Sequence, residues 1–77
     1  MKTVTENTFP NINAAYLASR QNGAARATLY VSRAGVDSVY HGFSADPETD
    51  VVTLCGDNQT FLFVEPTDII TYDDGTP

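Results

Sequence analysis

Past residue 23, turn-forming residues interrupt the chain at intervals of roughly ten positions, and this spacing leaves room only for short strands. The turn signals stand at Ala34-Gly35, at 46–50, at 56–58 and at Pro66. The segments between them alternate in polarity or are rich in β-branched residues, which is typical of strands. They predict five strands, at 27–32, 38–44, 51–55, 59–64 and 69–72.

One short helix is predicted before these strands. Four residues at helical spacing would form its packing face: Ile12, Ala15, Tyr16 and Ser19. Asn11, directly after Pro10, is predicted as the N-cap, and Asn22-Gly23 as the C-terminal stop. Because so short a helix is marginal alone in water, we expect it to pack on the strands.

A chain of 77 residues has room for a single domain, which we place at 9–72. Residues 1–8 are predicted as a flexible arm and 73–77 as a polar tail. Cys55 is the only cysteine, so no intramolecular disulfide can stabilise the core. The predicted class is mostly β (α+β): a short N-terminal helix followed by a five-stranded antiparallel barrel or a strongly bent sheet.

The element order carries a family resemblance. Helix and strands are followed by the segment VEPTDIITY at 64–72, in which one turn separates the last two predicted strands. This order resembles the Sm-like and SH3-like small barrels over about residues 11–72. That family includes RNA-binding Sm proteins and an acidic bacterial inhibitor of the Rho terminator. The resemblance implies a small barrel, and the predicted fourth strand lacks the basic RNA-binding signature of Sm proteins.

Charge is distributed unevenly along the chain. Residues 1–33 carry one carboxylate, Glu6, and every cation: Lys2, Arg20, Arg26 and Arg33. Residues 34–77 carry nine carboxylates and no Lys or Arg, and the whole chain has a formal net charge of −6. Phosphate backbones are repelled by such a second half, and basic protein surfaces are attracted to it.

The acidic turns therefore predict a non-enzymatic protein-binding module whose partner is a protein with a basic surface. Their carboxylates are Asp46, Glu48, Asp50 and Asp57. The chain would act as an inhibitor or regulator of a nucleic-acid-handling protein, and a small acidic product of this type suits a phage or mobile element. No cofactor, metal or membrane segment is expected, and the reducing cytoplasm is the predicted compartment.

Two other functions remain open at this point. In the first, a small barrel binds nucleic acid with Arg20, Arg26 and Arg33 on the backbone and with Tyr30 or Tyr40 stacked on bases. Packing in the core is nevertheless the larger expectation for the strand aromatics, namely Tyr30, Tyr40, Phe61 and Phe63. In the second, exposed strand edges pair between copies and build a homo-oligomer.

Catalytic and metal-binding patterns are weak. His41 and Cys55 would stand opposite each other in a hairpin centred on Glu48, but no orienting group or oxyanion hole accompanies them. Asp46, Glu48 and Asp50 match the start of a calcium loop, and the later ligand positions do not follow. An acidic hairpin turn is the expected structure there.

Overall fold

The computed structural model describes residues 1–20 and 25–75. One α-helix, α1 (Phe9–Ser19), and seven strands are found in these ranges. The strands are β1 (Lys2–Thr3), β2 (Leu29–Arg33), β3 (Val36–Tyr40), β4 (Gly42–Asp46), β5 (Val51–Cys55), β6 (Phe61–Phe63) and β7 (Ile69–Tyr72). The prediction of a mostly β domain with one short N-terminal helix is confirmed.

The strands form two antiparallel sheets instead of one closed barrel. One sheet has the order β1-β7-β2-β3 and the other the order β4-β5-β6. Within the described ranges no ladder joins the two sheets, so the barrel is not closed. The predicted arm at 1–8 contributes β1, in which Lys2 lies opposite Tyr72 and Thr3 opposite Thr71.

The predicted strand at 38–44 is split at His41, and its halves join different sheets. The reason lies in the spacing of two aromatic residues. Tyr40 is 3% exposed and Phe43 packs against the same core. Residues three apart point to opposite faces of a straight strand, so both can face the core only if the chain bends between them.

The core lies between the sheets and α1. Its buried members are Ile12, Ala15, Leu29, Val31, Tyr40, Val52, Leu54 and Ile70. The predicted helical face is confirmed for Ile12, Ala15 and Ser19, which are all buried. The helix starts two residues before the predicted N-cap, Asn11, because Pro10 needs no backbone partner in the first turn. The predicted stop at Asn22-Gly23 lies outside the described residues.

The β2–β3 hairpin turns through Ala34 and Gly35, whose φ angles are 51° and 80°. Both positions are left-handed, which suits glycine or asparagine better than alanine. We expect Ala34→Asn to stabilise the protein by roughly 0.5–1 kcal/mol, measured by urea unfolding. Ala34→Val is the opposing control and should destabilise it. Equal stabilities for the three proteins would contradict this description of the turn.

Side chains close one gap between the sheets where no ladder exists. The Asp68 side chain is fully buried and accepts hydrogen bonds from Arg33 Nε and Nη2, each at 2.7 Å. Arg33 Nη2 also donates to the Phe63 carbonyl at 2.8 Å, and the Glu65 N–H donates to Asp68 Oδ2 at 2.8 Å. Arg33 at the end of β2 is thereby fastened to the segment between β6 and β7.

The Asp68 carboxylate stays ionised within this network. The hydrogen-bonded Arg33 guanidinium lowers the pKa of Asp68 below its ordinary value, although burial opposes the shift. The same contact raises the pKa of Arg33 above its already high value. Both groups are therefore charged at neutral pH, where the network is an ion pair.

Candidate functional site

Two large aromatic side chains stand on the outer face of the three-stranded sheet. Phe61 is 61% exposed and Phe63 is 70% exposed, both on β6. In the register of the sheet Phe61 lies opposite Cys55, and Phe63 lies opposite Thr53. Directly opposite residues share a face. We call this surface, Phe61 and Phe63 with Thr53 and Cys55, the aromatic strip.

The prediction that the strand aromatics pack in the core is wrong for Phe61 and Phe63, and also for Tyr30, which is 37% exposed. Leu54 is fully buried and lies opposite Leu62, so Leu62 takes the inward face of β6. Its two neighbours must then point outward, because successive residues of a strand alternate. Tyr40 does pack inside, as predicted, at 3% exposure.

The predicted acidic residues do not form one cluster. Asp46, Glu48 and Asp50 lie around the β4–β5 turn, while Asp57 follows the other end of β5. Six residues of extended chain separate Asp50 from Asp57, which corresponds to roughly 20 Å. Asp46 lies opposite Val51 on the outer face, so the aromatic strip has carboxylates near both of its ends.

Three carboxylates that form no ion pair within the described ranges lie together around the β4–β5 turn: Asp46, Glu48 and Asp50. Asp57 lies 3.3 Å from Arg26, and Asp68 is held by Arg33. By contrast, no cation of the described part of the chain forms an ion pair with a β4–β5 turn carboxylate. The turn itself is ordered: Asp46 Oδ1 accepts from the Glu48 N–H at 2.9 Å.

The residues of the alternative nucleic-acid site lie apart from one another or are already paired with carboxylates. Arg33 is bound to Asp68 and Arg26 to Asp57, while Arg20 is exposed at the C-cap of α1. Tyr30 is 37% exposed on the four-stranded sheet, and buried Tyr40 has no face free to stack on a base. The nucleic-acid interpretation stays a prediction.

His41 and Cys55 do not take the predicted register. Gly42, not His41, lies opposite Cys55, because the β4–β5 hairpin is shifted by one residue. His41 Nδ1 lies 3.1 Å from the Ala27 carbonyl, and His41 Nε2 lies 3.8 Å from Asp57. In the described ranges no group of three or more His, Cys, Asp or Glu side chains is placed to hold a metal ion.

A shallow depression continues from the acidic turn toward the aromatic strip. It is lined by Ser44 and Asp46 of β4 and by Val51 and Thr53 of β5. Val51 is 48% exposed, so this depression adds apolar surface beside Asp46. The acidic turn and the aromatic strip are therefore parts of one continuous outer face.

The helix α1 is too short to cross a bilayer, and residues 1–20 and 25–75 form no other helix that could do so. No family model, curated protein or solved structure shows significant similarity to the chain.

Proposed function

We propose that this chain is a non-enzymatic protein-binding module that uses the outer face of its three-stranded sheet to bind a partner with a basic surface. The aromatic strip supplies the apolar contact, and the carboxylates of the β4–β5 turn supply the charge. Binding would inhibit or regulate the partner, which we expect to be a protein that handles nucleic acid. A small-barrel ancestry of the SH3-like type would accord with this role.

The observation that carries the proposal is the exposure of Phe61 and Phe63 side by side. Water-exposed aromatic pairs are costly for a chain with so small a core, and contiguous apolar patches of this kind mark interaction sites. Aromatic side chains are also the residues that most often dominate protein interfaces. Thr53 and Cys55 extend the strip onto β5 without adding charge.

Charge complementarity indicates the class of partner. The β4–β5 turn carries three exposed carboxylates with no ion pair among the described residues, and the chain has a net charge of −6. Such a field speeds the approach of a basic protein and slows that of an acidic one or of nucleic acid. The same field opposes self-association, so a partner of opposite charge suits this face better than a second copy.

The charge of the turn is tested by the triple variant Asp46→Asn, Glu48→Gln, Asp50→Asn. The binding partner is a basic protein captured with the unaltered chain. We expect the association rate constant of the variant with this partner to fall about tenfold at low salt, and the salt dependence of that rate constant to flatten. Surface plasmon resonance over a salt series measures both.

The control variant is Glu6→Gln, Asp37→Asn, Asp73→Asn, which removes the same charge from exposed sites elsewhere. It should keep most of the association rate. Equal losses in the two variants would show that only the net charge matters, and unchanged kinetics in the turn variant would refute the role of the turn.

A further inference from the structure

A groove runs between the start of α1 and the β4–β5 turn, on the side of the sheet opposite β6. Its volume is about 500 Å³, and its apolar wall is formed by Phe9, Pro10, Phe43 and Pro47. The Phe9 and Phe43 rings are tilted by 49° with their centroids 6.0 Å apart. Phe9 is 39% exposed, so one aromatic ring remains accessible at the opening. We call this feature the hairpin groove.

Among the described residues, two carboxylates line the hairpin groove and no Lys, Arg or His does. Asp46 uses Oδ1 to accept the Glu48 N–H, and Asp50 uses Oδ1 to accept the Phe9 N–H at 3.4 Å. In the described part of the chain, Oδ2 of each carboxylate accepts no hydrogen bond. An accessible ring and two carboxylate side chains thus line the same groove.

The positive end of the α1 dipole also lies at this groove and would repel a cation bound there. The Asp50 carboxylate already sits against the Phe9 N–H and offsets that end of the helix. Asp46 then remains as the second negative charge, with Glu48 exposed on the same turn. The surplus charge at the groove is negative, which excludes a phosphate or carboxylate ligand.

We propose that the hairpin groove receives an arginine side chain of the basic partner. A guanidinium is planar, stacks on aromatic rings and donates to two separate oxygen acceptors, whereas an ammonium is a compact, strongly hydrated charge. The aliphatic stem of arginine suits the wall of Phe43 and Pro47. This inference rests on the proposed function and names the chemistry by which its acidic turn recognises the partner.

The position of the groove agrees with that role. It opens along β4, and Phe61 and Phe63 of the aromatic strip lie on β6, two strands away. With neighbouring strands about 4.8 Å apart, the lateral offset between the groove and these two rings is roughly 10 Å, and the groove opens past the edge of β4 toward α1. A single protein partner can therefore cover the strip while it inserts one arginine into the groove.

The test titrates the folded 77-residue chain with N-acetyl-arginine methylamide, followed by amide chemical shifts in ¹⁵N NMR spectra. The corresponding citrulline compound is the neutral isostere, and the lysine compound compares the two cations. We expect saturable, millimolar binding of the arginine compound that shifts the amides of Phe9 and residues 43–50. Its affinity should be at least tenfold higher than that of the citrulline compound.

Variants separate the groove from the general charge of the chain. Asp46→Asn with Asp50→Asn keeps both Oδ1 acceptors, and asparagine tolerates the φ of 58° at position 50. We expect this pair to abolish the preference for arginine over citrulline. Asp37→Asn with Asp73→Asn removes the same charge elsewhere and should leave the preference intact.

Several outcomes would overturn the inference: equal shifts with citrulline, shifts that map outside the groove, or equal losses in both variant pairs. Equal affinity for the lysine compound would overturn the assignment to arginine. Failure here is distinguishable from failure of the proposed function. A chain that still binds a basic protein through the aromatic strip but ignores the arginine compound refutes only the groove.

Discussion

Replacing Arg33 by methionine is expected to lower the thermal unfolding midpoint by more than about 10 °C, because it leaves a buried carboxylate without its cation. The Asp68 side chain has no exposed surface, and its carboxylate accepts two charged hydrogen bonds from the Arg33 guanidinium. Methionine preserves the unbranched stem, so the loss reports the ion pair. Circular dichroism during heating measures the midpoint.

Arg26→Met is the matched control for this prediction. Arg26 also pairs with an aspartate, Asp57 at 3.3 Å, but both side chains are more than half exposed. Exposed pairs contribute little, so the midpoint should fall by about 4 °C or less. If the two variants lose stability equally, the network around Asp68 does not fasten the sheets together as described.

The stability that Arg33→Met loses depends on pH, because the pH decides whether the Asp68 carboxyl is ionised. In the unaltered protein the pKa of Asp68 is lowered. The contribution of ionised Asp68 to the free energy of unfolding is therefore complete above its unfolded pKa of about 3.9. That contribution is lost as the pH falls through the lower pKa of the folded protein. Without Arg33, burial raises the pKa of Asp68, so protonation relieves the unpaired charge. The difference in free energy of unfolding should therefore shrink as the pH falls toward the unfolded value of about 3.9 and below it.

The double variant Phe61→Thr, Phe63→Thr is expected to weaken binding of the captured partner by about 100-fold or more, because exposed aromatic pairs at interface centres dominate affinity. Threonine keeps the β propensity of β6. Because both rings are more than half exposed, the free energy of unfolding should change by only about 1 kcal/mol. Isothermal titration calorimetry and urea unfolding measure the two quantities.

Val36→Thr provides the control for the aromatic strip. Val36 is as exposed as Phe63, at 70%, but it lies on β3 at the edge of the other sheet. Its replacement should leave the affinity unchanged. Full affinity in the double variant, or an equal loss in Val36→Thr, would assign binding to another surface.

The sequence predicts the strand segments better than it predicts their faces. The bounds of β5 and β7 agree with the predicted strands, and Leu29 and Val31 are buried on one face as expected. In the FLFV segment at 61–64 the residues on both faces of the strand are apolar. Its alternation therefore cannot show which face is exposed to water. The register of the β5–β6 hairpin decides it, and that register depends on a turn in which Asn58 and Gln59 both adopt left-handed φ.

The acidic site was predictable only in part, for a related reason. Composition identifies the carboxylates, and their place in turns follows from Pro47 and Gly56. Which of them are neutralised depends on contacts distant in sequence, such as the 35 residues between Arg33 and Asp68. Arg26 partly neutralises the charge of Asp57 through a similar contact between residues distant in sequence. Only the fold reveals that the β4–β5 turn holds three neighbouring carboxylates that form no ion pair within the described ranges.

Photo-crosslinking from the aromatic strip tests the central claim most directly. p-Benzoylphenylalanine takes the place of Phe63 in one protein and of Val36 in another, and each is irradiated in a cell lysate. We expect discrete adducts with a basic protein from position 63, which diminish as salt is raised, and none from position 36. Adducts from position 36 alone, or adducts at position 63 with acidic proteins only, would contradict it.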